Sequence, residues 1–190
     1  MARRSMREEI VEAGLAQFHE RGFNAAAVKD ITDRAGVPKG SFYNHFESKE
    51  ALAIETLERY GVSRRLGDLA DQSVEPLARI RAHFEYLRDE VLGYGNLRGC
   101  MLGNFTTEVA DHNDSIQQLL KQGLGLWAER LGGALAEAQE AGSIPAGLDT
   151  AMIGRYLVSA WEGTLIRVRA QRSPEPFDDF FTVTFDTLLA

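Results

Sequence analysis

The chain has one cysteine, Cys100, which excludes an internal disulfide and suits a reducing compartment such as the cytoplasm. No apolar run approaches the roughly 18 residues that a membrane span needs. The start, Met1-Ala2-Arg3-Arg4, leads into charge instead of a secretory apolar stretch, so neither a membrane nor an export route is expected. Without export, the glycosylation patterns at Asn104 and Asn113 are chance matches. Proline is scarce, and Pro38, Pro76, Pro145, Pro174 and Pro176 all fall where a helical pattern begins or ends. No segment alternates apolar and polar residues in a way that would make a strand.

Catalytic signatures are missing as well. HExxH, GxSxG, a Walker loop and paired-cysteine spacing do not occur. Gly123-Leu124-Gly125 fails the dinucleotide pattern, because Ala128 stands where the third glycine should and no strand precedes it. Asp111-His112-Asn113-Asp114 offers one imidazole and reads as a turn with a helix cap, not a metal site. His19 and His83 stand alone on helical patterns. No catalytic residue, metal or cofactor is therefore expected.

A basic excess is absent too. The formal charge is −7, which excludes nucleic-acid binding over the whole surface. The balance is local, however: residues 1–49 carry +1 and residues 50–190 carry −8. Arg3, Arg4 and Arg7 form a basic arm at the less acidic end.

What the sequence does contain is helical periodicity, in about nine segments, so an all-α fold is expected. Ile10, Val11, Gly14, Leu15 and Phe18 stripe the first segment. Ser48 caps a fourth that carries Leu52, Leu57 and Tyr60 and fades near Asp71. Pro76 opens a fifth, with Leu77, Ile80, Phe84, Leu87 and Val91 in register. Gly93, Gly95 and Gly99 interrupt, and a short helix follows from about Met101 to Ala110. Asn113 or Asp114 then caps a long helix to Ala141, which Gly142 and Pro145 stop. Asp149 caps an eighth to about Arg172, and a ninth runs from about Phe177 to Leu189.

Residues 22–50 say most about function. Val28, Ile31 and Ala35 share one face of a short helix, and Ala35-Gly36-Val37 makes a turn. Pro38 begins a second helix of about nine residues, anchored by Phe42 and Phe46. With those anchors inward, Lys39, Ser41, Tyr43, Asn44 and His45 face water. That set suits base edges and phosphates better than it suits a structural helix.

This stretch and the helix before it resemble the DNA-binding domain of the tetracycline-repressor (TetR) family of bacterial transcriptional regulators. Ile10, Ala13, Phe18, Gly22-Phe23, Val28, Asp30-Ile31, Ala35-Gly36-Val37, Lys39 through Phe46, and Ser48 through Leu52 carry the likeness. Ala26 and Ala27 depart from it, since serine or threonine is usual near there; Asn24 is the residue placed to supply the missing cap. The resemblance implies a helix-turn-helix domain over 1–50 and a helical ligand-binding and dimerisation domain over 51–190. It further implies a dimer that reads a palindromic double-stranded DNA operator and is released from it, as a repressor, by a small-molecule inducer. Lys39, Ser41 and Asn44 are the candidates for base edges and Tyr43, His45 and Lys49 for phosphates, with Gly40 in the same DNA-binding set. A regulator without an inducer stays open, as does a protein-binding adaptor, which would leave Lys39, Tyr43 and His45 without a task.

Two more regions carry expectations. The last two helices have apolar surface beyond one core face. They are expected either to pack only within the chain or to form a two-fold four-helix bundle using Ala160, Trp161, Thr164, Phe177, Phe181 and Leu188. In the middle, Phe84, Leu87, Cys100, Met101, Phe105, Trp127, Tyr156 and Trp161 either line an inducer cavity or simply fill the core. Gly123, Gly125, Gly132 and Gly133 leave room there for a ligand or for a close helix. Cys100 lies beside Arg98 at a helix start, a setting that favours thiolate. Similar family members with a Gly-Cys pair there respond to electrophiles; the other reading is an apolar filler.

Overall fold

The computed structural model describes residues 5–95 and 98–190, so Arg3 and Arg4 lie outside the described residues. Those described form nine α-helices and no strand. They pack as two compact units. One comprises residues up to Ser63 together with Cys100–Lys121, and the other Arg64–Gly99 with Gln122–Ala190. Packing therefore does not divide the chain at residue 50.

In the first unit, α1 (Met6–Ala25) starts on Ser5, whose hydroxyl accepts from the Glu8 amide at 3.2 Å. It buries Ile10, Val11, Ala13 and Phe18, and α2 (Val28–Ala35) adds Ile31. A left-handed Gly36 ends α2. The third helix is shorter than its spacing implied: α3 covers only Lys39–Phe42, and Tyr43–His45 form turns after it. The backbone there uses three-residue bonds, from Ser41 to Pro38, Asn44 to Ser41 and His45 to Phe42. After the helix Phe46 bonds back four residues to Phe42, and both phenylalanines are buried.

Helix α4 (Lys49–Ser63) is capped by Ser48, which accepts from Ala51 N–H at 3.1 Å, as its sequence implies. It stops at Ser63 rather than near Asp71. Arg65 takes a left-handed conformation, and a separate 3-10 turn follows at Leu66–Ala70. The short helix is α6 (Met101–Val109), and its Phe105 meets Phe18 and Phe23 edge-on at 5.7 Å each.

In the second unit, α5 (Pro76–Gly93) has Pro76 in its first turn and Glu75 as its cap. The long helix α7 (Asp114–Glu140), whose residues up to Lys121 belong to the first unit, is capped by Asn113, not Asp114, and α8 (Thr150–Gln171) by Asp149. Then comes α9 (Glu175–Val183), continued by a π turn at Thr184–Leu188. The α7–α8 contact explains part of the glycine excess. A Cβ on Gly154 would stand 2.5 Å from the Ala128 carbonyl oxygen, and one on Gly132 would touch Ala151 at 3.4 Å. Gly125 and Gly133 face open space instead.

An aromatic cluster forms the centre of this unit. Phe84 lies 5.2 Å from Trp161 and 4.8 Å from Phe180, and Trp161 lies 5.3 Å from Phe177. At its edge the Trp127 indole N–H donates to Nε2 of buried His83 at 2.9 Å, which requires the neutral imidazole. Arg79, also buried, pairs with Glu137 and donates to the Leu69 carbonyl at 2.9 Å.

Burial pushes the His83 pKa from 6.5 down to about 4, and Arg64 adds to the shift. The folded value lies below the unfolded one, so the unfolded chain takes up the proton first. Stability from neutral His83 is therefore present above pH 6.5 and fades as pH falls towards 4. Urea unfolding should show wild type losing about 2 kcal/mol more than His83→Gln between pH 7 and pH 5. Equal losses in the two proteins would contradict this account of His83.

Candidate DNA-reading surface and sensing region

The reading surface exists because two side chains turn away from it. Phe42 is fully buried and Phe46 nearly so, with ring centroids 5.7 Å apart. Lys39, Gly40, Asn44 and His45 are exposed, Ser41 is half-buried, and Tyr43 is 58% exposed with its ring edge-on to Phe42 at 5.2 Å. All but half-buried Ser41 and the two phenylalanines are thus open to solvent.

Lys49 is placed differently. Its Nζ donates to the Phe23 carbonyl at 2.9 Å and stands 4.0 Å above the Phe23 ring. Burial lowers its pKa, against the pull of Glu50 and Glu108. The ammonium expected to grip phosphate is thus engaged inside the protein. Arg7 is likewise held, paired with Glu55 and 4.9 Å from the centre of the Phe46 ring. Asn24 does not cap α2: no side chain bonds to the start of that helix at Ala27, and the Asn24 amide donates to Glu108 at 2.9 Å. These partners leave no local signal, because they lie far along the chain and one of them is a backbone oxygen.

The eight sensing candidates divide between the two compact units. Cys100, Met101 and Phe105 belong to the first compact unit, while Phe84, Leu87, Trp127, Tyr156 and Trp161 belong to the second. All are buried except Tyr156, which is half-exposed. Cys100 is the N-cap residue of α6 and only 7% exposed. The Arg98 guanidinium stands 4.2 Å over the Tyr94 ring. A groove of about 550 Å³ opens beside Gly125, Ala128, Gly133, Glu137 and Arg155, and none of the eight lines it. The glycines of α7 were the signal for it.

The face of α8 open to a partner also differs from the expected one. Trp161 is 1% exposed, and Phe177 and Thr164 are buried as well. They are consumed by the packing of α8 on α9 within the chain, while Ala160, Phe181 and Leu188 remain half-exposed. The exposed stripe runs through Met152, Tyr156, Ser159, Gly163, Ile166 and Ala170, with Ile166 68% exposed. These residues follow the three-and-four spacing of one helix face. No helix among the described residues is long and apolar enough to cross a membrane.

Two family models match this chain. The model for bacterial regulatory proteins of the tetR family covers residues 10–56, and that for the tetracyclin repressor-like C-terminal domain covers residues 76–184. The chain belongs to the TetR family. It is 38% identical to the HTH-type transcriptional repressor DhaR of Mycobacterium sp. strain GP1, over 100% of this chain and 95% of that one. It is 26% identical to the repressor NemR of Escherichia coli K12, over 91% and 88%. Among solved structures, the regulatory protein TetR from Rhodobacter sphaeroides superposes with a TM-score of 0.89 at 30% identity, covering 97% of this chain and 99% of that one. As a TetR-family member, the protein is a DNA-binding transcriptional regulator and not an enzyme.

The exposures separate the roles of the reading residues. Lys39→Ala should cost about 1–3 kcal/mol and relax base preference at one position, whereas Tyr43→Phe should weaken all sequences alike. Lys49→Ala should leave the slope of log affinity against log salt unchanged, because its ammonium serves the Phe23 carbonyl. A slope flatter by about one unit in a salt titration would return Lys49 to the phosphates.

Proposed function

We propose that this regulator is a cytoplasmic homodimeric repressor that holds a palindromic operator and leaves it when a small molecule binds or modifies the sensing region. The observation that carries this reading is the polar face at Lys39, Ser41, Tyr43, Asn44 and His45, mounted on buried Phe42. Repression is the named activity of DhaR and NemR, to which the chain is similar over most of its length. One face of this size reads too few base pairs for a useful site, so two copies are needed. The stripe from Met152 to Ala170 on α8, with Val183 of α9 exposed nearby in sequence order, supplies an apolar surface for the second copy.

The inducer acts from within the helical body, and Cys100 offers its covalent route. Addition of the thiolate to an activated alkene forms a C–S bond and breaks the C=C π bond, and the thiol proton ends on the neighbouring carbon. Such an adduct at the N-cap of α6 has no room in a site that is 7% exposed, so the first turn of α6 must move. Because Phe105 and Glu108 on the same helix touch α1, that displacement reaches the DNA-reading unit.

N-ethylmaleimide is a sufficient probe, since the chain has a single thiol. Treatment should weaken operator binding of wild type by about 150-fold, equivalent to 3 kcal/mol of coupling, and leave Cys100→Ser unaffected. Equal responses in the two proteins, or none in either, would return Cys100 to the core and leave a noncovalent inducer in its place.

A further inference from the structure

The peptide unit joining Phe23 to Asn24 is held at both of its ends by opposite charges. Gly22, at φ 80° and ψ 173°, breaks α1, so the Asn24 amide loses the carbonyl that a continuous helix would supply four residues earlier. Glu108 of α6, 84 residues further on, accepts that N–H at 2.9 Å. On the other side, Lys49 of α4 donates to the Phe23 carbonyl of the same peptide unit, also at 2.9 Å. One peptide dipole thus lies between an anion at its hydrogen and a cation at its oxygen, the orientation that both charges favour. The Phe23 ring is fixed as well, stacked on Phe18 at 5.8 Å and edge-on to Phe105 at 5.7 Å.

Glycine at position 22 belongs to the same device. Its φ disfavours any side chain, and a Cβ there would stand 2.1 Å from Oε1 of Glu108. The carboxylate fills the space a methyl would need. After this clamped peptide come Ala26, with extended backbone, and Ala27, which begins α2 without a side-chain cap. The Ala26 N–H bonds back to the Phe23 carbonyl at 3.3 Å, so the connection from α1 to α2 starts on the same clamped peptide.

We propose that Glu108 is a positioning residue for DNA reading: with Lys49 it clamps the Phe23–Asn24 peptide and so sets the angle at which α2 and α3 are presented. It acts through the backbone and touches no DNA. The three elements involved, α1, α4 and α6, belong to one compact unit, so the clamp is internal to the DNA-reading body.

The sign of the effect separates this role from a general electrostatic one. Removing a negative charge from a DNA-binding protein tightens binding by itself. Glu108→Ala should instead weaken operator binding about tenfold, as expected for loss of one charge-assisted hydrogen bond that orients the reading surface. The salt slope should stay at the wild-type value, because no phosphate contact is lost. Glu108→Gln, which keeps an acceptor oxygen, should recover most of the affinity. Gly22→Ala should cost less binding in the Glu108→Ala background than in wild type, since the colliding carboxylate is gone.

Unchanged or tighter operator binding by folded Glu108→Ala would overturn the proposal, and so would an altered salt slope. Equal cost of Gly22→Ala in both backgrounds would overturn it as well. If Glu108→Ala does not fold, Glu108→Asp, with a carboxylate too short to reach the Asn24 amide, is measured under the same criteria.

Discussion

The burial of Phe42 is the contact on which the DNA-reading surface depends. A four-residue helix has no stability of its own, because helix nucleation costs more than one turn returns. α3 persists only because Phe42 and Phe46 are held in the apolar interior of the first unit. Full burial of one such ring stabilises by about 1.5–3 kcal/mol, so the two together offset much of the roughly 4–8 kcal/mol that ordering four residues costs. The residues between and beside the two rings face outward as a result. A polar set on so short an element has a fixed geometry only when the body beneath it is rigid.

That rigidity comes from distant parts of the chain. Phe105 packs on Phe18 and Phe23, Glu108 reaches the Asn24 amide, and Lys49 reaches the Phe23 carbonyl. α6 is therefore as much part of the DNA-reading unit as of any sensing region, and Cys100 stands at its first turn. A disturbance at that turn needs no long relay to reach α1. In the second unit, by contrast, the aromatic cluster of Phe84, Trp161, Phe177 and Phe180 is consumed in packing α5, α8 and α9 on one another.

Local chemistry made the helix boundaries legible. Ser48, Asn113 and Asp149 each cap within three residues, so their bonds could be expected from spacing alone, and Pro76 marks the first turn of α5. The length of α3 was misleading, because anchors four apart are satisfied by a single turn. The exposure of Lys39, Tyr43, Asn44 and His45 was legible, since burial of Phe42 and Phe46 determines which neighbours face outward. Lys49 was not, because its partner is a main-chain carbonyl 26 residues earlier. Nor could aromatic content show which face of α8 stays open: Trp161 and Phe177 bury each other, and smaller residues around Gly163 and Ile166 remain outside.

Footprinting of the DNA upstream of the gene tests whether two copies present this face to one operator. Protection should span a two-fold symmetric site whose half-site centres lie about 10 base pairs apart or a multiple of that, and both halves should fill at the same protein concentration. Protection of one half-site alone, or none at concentrations that saturate nonspecific DNA, would contradict it.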